Sequence, residues 1–363
     1  MKSEESSPAI FGRIVGMTET AHPLVVRARH LAADLLIPAA ERVDQEGVPP
    51  SHIEAVKRSG LLGLVAPVEF GGSGAPPAVL RETAEILAGA CCSTWFVQTQ
   101  HHTPVQTLVR SELPVRERLL GPLARGELLS GVAGAHLRAY PRVPVRVRRE
   151  GDGWRFDGTV PWYTGWGLND VMLLAGVTKA GEALFAFVEA RDQPGLRASP
   201  PMRLAALTAA RTVSLELDGL RVPEDAVALR TPYEQWASGD RAKTLNANPA
   251  VFGVAAAALS LLDEGTAVPL RARLSEVRHR AYALADHPAP HERAEERLAV
   301  RAEAYEVLGA ATTAAVVAGG GRAMALTSRA QRLAREGMFL LVQGQTAQTR
   351  RAHLRALTGG SGT

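Results

Sequence analysis

Cysteine is almost missing from this chain. Its 363 residues contain two, Cys91 and Cys92, side by side. Adjacent cysteines bridge only with strain, and two are too few for a disulfide framework or a zinc site, so two buried free thiols are expected. Lysine is scarce as well. It occurs at Lys2, Lys57, Lys179 and Lys243 only, so arginine carries nearly all the positive charge of a chain with net charge +4 and pI about 9.3. Aromatic residues make up 5%, and no basic stretch is interleaved with them, which argues against nucleic acid as a partner. No apolar run approaches the roughly 20 residues of a membrane span. Met1–Pro8 is acidic and polar, unlike a signal peptide. A cytoplasmic protein without a membrane partner is the expectation. His287 and His291 are separated by Pro288 and Pro290, which rules out a helical metal-binding pair, and no metal site is expected.

What is present describes an ordinary globular protein, 46% hydrophobic and 21% charged, long enough for a substantial core. Residues 1–20 read as a loose arm. From Leu24 the apolar positions Ala28, Leu31, Leu35, Ala39 and Val43 keep helical spacing, with Pro38 as a kink or break. Ser51 and Glu54 form a capping-box pattern for the next helix, which Gly60 ends. Phe70-Gly71-Gly72-Ser73-Gly74 is a structural turn: it lacks the Gly-Lys-Ser/Thr ending of a phosphate loop. Helices follow at about 77–90, at 93–110 (carrying Trp95, Gln98, His101 and His102) and at 114–125.

Between Arg138 and Pro223 the period changes. Val143, Val145 and Val147 alternate with Pro144, Arg146 and Arg148, as in a half-buried strand. Gly151-Asp152-Gly153 turns the chain into Trp154-Arg155-Phe156. The apolar runs Val171–Val177 and Ala183–Val188 follow, and Thr212–Leu217 is the last strand. Short strands with turns between them suggest a compact barrel or sandwich. Arg138, Arg142, Arg146, Arg148 and Arg149 read as the wet face of a strand, with a phosphate or acidic-partner site as the alternative. The chain then returns to helix: 233–262, 270–284, 293–318 up to Gly319-Gly320-Gly321, and a last helix capped by Thr327 or Ser328. The nearly uniformly apolar Ala250–Leu262 segment should be buried between helices or subunits. The fold class is α+β: an N-terminal helical domain (1–126), a middle β-barrel (127–230) and a C-terminal four-helix bundle (231–363).

This order resembles the acyl-CoA dehydrogenase superfamily. The resemblance is carried by Leu61–Pro67 with Phe70–Gly74, by Trp162-Tyr163-Thr164-Gly165, by Met202 to Arg211-Thr212, by Leu217–Pro223 and by Arg332-Leu333-Ala334-Arg335-Glu336. It implies a flavin cofactor, FAD or FMN, and a homodimer or homotetramer. Trp162 would shield the flavin ring and Thr164 would hydrogen-bond near N5, while Gly319, Gly320 and Gly321 match a glycine turn of the flavin site.

The departures from the family are chemical. The glutamate that removes the substrate α-proton in the dehydrogenases falls here on Gln343, before Gly344. A neutral amide cannot accept a proton near pH 7. The alternative acid on the first bundle helix is absent too: Asn246-Ala247-Asn248-Pro249 offers amides. The Thr-Glu-Pro and Gly-Ser-Asp loop is replaced by Gly131–Arg138. The Arg-x-x-Phe-Gly motif, which holds the flavin diphosphate across the subunit interface, is replaced by Gly265–Arg271. Two-component flavin monooxygenases within the superfamily do without the glutamate base. They take reduced flavin from a separate reductase and use oxygen. In that reading His101 or His102 orients or deprotonates a small aromatic or amine substrate, with Gln343 and Gln345 shaping the pocket. The other expectations are a dehydrogenase or oxidase with a non-standard base, and a flavin-free relative acting in binding or assembly.

Overall fold

The computed structural model describes residues 21–289 and 292–359, so the expected N-terminal arm and His291 lie outside the described residues. The N-terminal layer begins with α1 (Pro23–Leu31), a π-helical turn (Ala32–Leu36) and α2 (Ile37–Glu46). Pro38 neither kinks nor breaks the path at its own position. The wider π turn just before it absorbs the missing proline N–H, and the chain stays helical. In α3 (Pro50–Arg58), Pro49 is the N-cap and Pro50 the first helical residue. No side chain caps this helix, so the expected Ser51–Glu54 capping box is not formed: the proline places the start two residues earlier. Gly60 follows in the left-handed region, φ 76°. Then come α4 (Pro77–Ala90), α5 (Cys92–Thr99), α6 (His102–Arg110) and α7 (Val115–Ala124). The single helix expected over 93–110 is two, broken at Gln100-His101. Cys91 and Cys92 are buried and unbridged, as expected.

The middle layer is one sheet of eight strands: β1 (Ser130–Ala133), β2 (Val145–Glu150), β3 (Gly153–Tyr163), β4 (Val171–Thr178), β5 (Glu182–Glu189), β6 (Leu196–Ala198), β7 (Val213–Pro223) and β8 (Val227–Pro232). Its order is β6-β7-β3-β2-β4-β5-β8, with β1 parallel to β4 from Ser130 opposite Val171. One side of every strand meets in a single core. Ala133, Val147, Phe156, Leu174, Leu184, Leu196, Leu215 and Val227 all belong to it. The sheet is therefore rolled like a barrel, with β6 and β8 at its two free edges. The arginines of β2 do lie on the wet side: Arg146, Arg148 and Arg149 are exposed.

The C-terminal layer has more helices than the sequence suggested. α8 (Tyr233–Thr244) and α9 (Pro249–Leu259) replace one long helix, and α10 (Glu264–Ala285) and α11 (Ala294–Gly319) follow. After α12 (Arg329–Val342) the chain turns into a further helix, α13 (Ala347–Thr358), with a Thr346–Thr349 capping box. The apolar α9 is buried as expected. It presses on α4 so closely that a Cβ on Gly253 would stand 2.0 Å from the Glu85 carbonyl oxygen. By length and hydropathy the Ala294–Met324 segment could cross a membrane, contrary to the expectation. Its residues Leu298, Val307, Leu308 and Ala311 pack into the bundle, however, and it carries the buried Arg297 and Arg301.

Candidate functional site

The three layers meet in one apolar core whose members lie close in sequence to His101, Thr164 and Gln343. Leu168, just past the end of β3, shares one core with Trp95 and Phe96 of α5, Ala250 of α9 and Leu340 of α12. Phe96 meets the ring of Phe339 edge-on, with centroids 4.9 Å apart.

His101 sits in the break between α5 and α6 and is wholly buried. The Ser130 N–H donates to its Nδ1 at 3.0 Å, so the ring proton is on Nε2, which lies 3.2 Å from the Leu123 carbonyl. Burial pushes its pKa down to about 3, helped by the neighbouring His102. His102 is held differently. Gln98 Nε2 lies 3.4 Å from the Leu61 carbonyl and 3.0 Å from His102 Nε2. The carbonyl can only accept, so it fixes the amide orientation, and the amide's other hydrogen goes to His102 Nε2. The His102 proton is therefore on Nδ1, a buried atom with no partner among the described residues. Burial lowers the His102 pKa to about 4. In this arrangement neither imidazole has a free lone pair. His102 offers a hydrogen-bond donor.

Trp162 points outward from the end of β3 and is 55% exposed, between half-buried Pro161 and buried Tyr163. Thr164 is buried, its hydroxyl 3.2 Å from that of Thr212. When two hydroxyls pair, one hydrogen remains for another acceptor. Asn169 fastens this corner: its Nδ2 donates to Tyr163 Oη at 2.8 Å and to the Thr164 carbonyl at 2.9 Å. Asn169 was not among the positions expected from sequence. The only signal for it is an asparagine after the Gly165-Trp166-Gly167 turn.

Gln343 follows the last residue of α12. Its Oε1 accepts from Asn248 Nδ2 at 3.0 Å. The two positions at which a base was sought therefore touch, and both are amides. Just behind them, Arg297 Nη1 donates to Asn246 Oδ1 at 2.6 Å and Arg301 Nη1 to the Asn246 carbonyl at 2.7 Å. Gly319, Gly320 and Gly321 are not brought to this place. They end α11, whereas Arg297 and Arg301 are near its start, roughly 30 Å away at 1.5 Å per residue.

A planar flavin ring fits the sheet side of this site: an exposed indole stands beside a buried hydroxyl pair that has a donor to spare. The diphosphate side does not fit in the same way. α10 runs unbroken from Glu264 through the place of the Arg-x-x-Phe-Gly loop, and its arginines are engaged, Arg271 with Glu264 and Arg273 with Glu306.

Residues 18–127 match the family model "Acyl-CoA dehydrogenase, N-terminal domain". The human mitochondrial short-chain specific acyl-CoA dehydrogenase is 25% identical over a 227-residue alignment that covers 59% of this chain and 54% of that protein. The chain thus matches only about half the length of this curated relative. Among solved structures, a glutaryl-CoA dehydrogenase from Mycobacterium smegmatis in complex with FADH2 aligns with a TM-score of 0.76 at 18% identity, covering 96% of this chain and 97% of that one. The dibenzothiophene monooxygenase TdsC from Paenibacillus sp. A11-2 aligns with a TM-score of 0.75 at 18% identity, covering 93% and 97%. Helical domain, rolled sheet and helical bundle occur in the family's order: the chain carries a segment that matches the acyl-CoA dehydrogenase N-terminal domain, and it has the fold of that superfamily.

Proposed function

We propose that this chain is a flavin-dependent oxidoreductase of monooxygenase type. It takes reduced FAD or FMN from a separate reductase and acts with oxygen on a small aromatic or amine substrate. The observation that carries this reading is the Gln343–Asn248 pair. Where a dehydrogenase of this superfamily needs a carboxylate to take a proton, this chain holds two neutral amides bonded to each other. Trp162 would lie against the flavin ring, and the Thr164–Thr212 pair would donate to it. His102 would orient the substrate through Nδ1–H, with His101 locking the start of α6 behind it. A bound reduced flavin supplies two electrons to oxygen, and the buried surroundings of Phe96, Phe339 and Leu168 would keep water away. Exposed Val317, Met324, Leu326, Met338 and Val342 support a homodimer or homotetramer through the C-terminal layer.

A second reading has a specific support: several sequence relatives are acyl-CoA dehydrogenases, so an acyl thioester oxidised with an unrecognised base is the competitor. The deciding measurement is a visible spectrum of the purified protein, then titration with FAD and FMN in oxidised and reduced forms. Tight binding of the reduced forms alone supports the monooxygenase. Bound yellow FAD that bleaches anaerobically with an acyl thioester, more strongly in Gln343→Glu, overturns it in favour of the dehydrogenase. Binding of neither form overturns both readings and leaves a flavin-free binding protein on this fold.

A further inference from the structure

The orientation of the Gln343 amide is determined by its neighbours. Asn248 caps α9: its Oδ1 accepts from the Ala250 N–H at 3.0 Å. With its oxygen engaged there, Asn248 can turn only Nδ2 toward Gln343, so Gln343 must face it with Oε1. The backbone at Gln343 is held as well. Its N–H donates to the Phe339 carbonyl, and Gly344 follows with φ 64°. The Gln343 Nε2 group is then left with both hydrogens free of protein partners among the described residues, on a half-buried side chain. A position that could have held an acceptor holds a donor.

The charge behind it has the same sense. Arg297 and Arg301 are 2% and 4% exposed. Their recorded partners are carbonyl, amide and phenol oxygens: Glu292, Ala289 and Asn246 for Arg297, and Asn246 and Tyr305 for Arg301. Among the described residues no carboxylate forms an ion pair with either. Two buried guanidiniums balanced only by neutral dipoles leave a positive field over Asn246–Asn248. The N-terminal end of α9 adds to it.

We infer that Gln343 is a specificity-determining residue whose Nε2–H2 selects a substrate presenting an anionic oxygen acceptor, of the carboxylate or phenolate class, and rejects a cationic donor at that place. This rests on the reading that Gln343 faces the substrate.

The test uses the full-length protein, loaded with FAD where it binds, and two probes of equal shape: benzoate, an anionic acceptor, and benzamidine, a cationic donor. Calorimetric titration is expected to show benzoate binding at least about tenfold tighter, and Gln343→Met, which removes the donor without adding charge, to erase most of that factor. Gln343→Glu serves if the methionine variant does not fold; it should reverse the preference. A separate readout needs no probe. In Asn248→Asp the new carboxylate caps α9 and accepts from Gln343, so the Gln343 side-chain amide protons should become protected from exchange. Equal affinity for both probes, binding of neither, or an unchanged ratio in the Gln343 variants would overturn the inference. So would unprotected amide protons in Asn248→Asp. Failure of flavin to bind would remove the proposed reaction but leave the probe ratio and the amide protection readable, so the two failures can be told apart.

Discussion

The backbone N–H of Ser130, the first residue of β1, donates to Nδ1 of His101 at 3.0 Å, joining the break between two helices to the edge of the sheet. Replacing His101 by alanine leaves that N–H and the Leu123 carbonyl unpaired and opens a cavity. A loss of about 2–4 kcal/mol is expected in urea denaturation.

The same residue ties stability to pH. With its pKa near 3 in the folded protein and 6.5 as its ordinary value, His101 is neutral when folded and takes up a proton on unfolding anywhere between. Its contribution is fully present above about pH 6.5 and falls as the pH drops toward 3, by up to about 1.4 kcal/mol per pH unit. His102 and His136, both lowered to about 4 by burial, act in the same sense. Stability measured at pH 7.5, 6 and 5 should decline, and His101→Ala should flatten the decline. An equal slope in the variant would mean that this ring is not held neutral.

Gly253 lies where α9 crosses α4. A Cβ there would stand 2.0 Å from the Glu85 carbonyl oxygen, and one on Gly89 would stand 2.6 Å from the Gly253 carbonyl oxygen. The obstacles are backbone atoms, which cannot swing aside as a side chain can. Gly253→Ala should force the helices apart and cost about 3 kcal/mol or more, visible as a lower midpoint. Gly239→Ala, which meets nothing within 4 Å, is the control and should be nearly neutral or slightly stabilising.

How much of this was legible beforehand depended on whether the cause was local. Val171–Val177 and Ala183–Val188 announced β4 and β5 because they are short apolar runs bounded by turns. β1 was not legible: Ser130-Gly131-Val132-Ala133 has weak strand propensity and is held by its pairing with β4. The break at Gln100-His101 had a signal that the reading of one helix passed over: Pro104 has no N–H for the Gln100 carbonyl four residues back, so a continuous helix is broken there, and the tertiary bonds of His101 stabilise the break. Pro38 was noticed correctly as an obstacle to α-helix, but a π turn is a remedy that propensity does not show. Trp162, Thr164 and Gln343 were singled out through motif resemblance. The contact of Gln343 with Asn248 links residues 95 apart, and only the fold reveals it.

Arg332 and Glu336 form a salt bridge at 2.8 Å, both 2% exposed, and Arg332 also reaches Glu41 of α2. Burial raises the pKa of Glu336, and Arg332 opposes that rise. Arg332→Met would strand the Glu336 carboxyl in a dry setting, and a loss of about 3–5 kcal/mol is expected. The double variant Arg332→Met, Glu336→Leu should recover much of it by removing both charges together. Recovery would show that the cost lies in the uncompensated charge; no recovery would mean that the pair, with its link to α2, contributes directly to stability.

Trp162 allows the sheet side of the proposed flavin site to be read optically. At 55% exposed it should emit as a solvated indole, distinct from the buried Trp95 and Trp154. A flavin ring lying against it would quench that emission, and the quenching should saturate with the same midpoint as the visible titration. Trp162→Phe should abolish the quenched component while retaining part of the binding through the aromatic face. Trp162→Ala should weaken flavin binding by about five- to tenfold, the worth of one stacked aromatic contact. If flavin binds with unchanged affinity in Trp162→Ala and the wild-type emission is not quenched, the ring does not lie on β3, and the Thr164–Thr212 pair is part of the sheet's own packing.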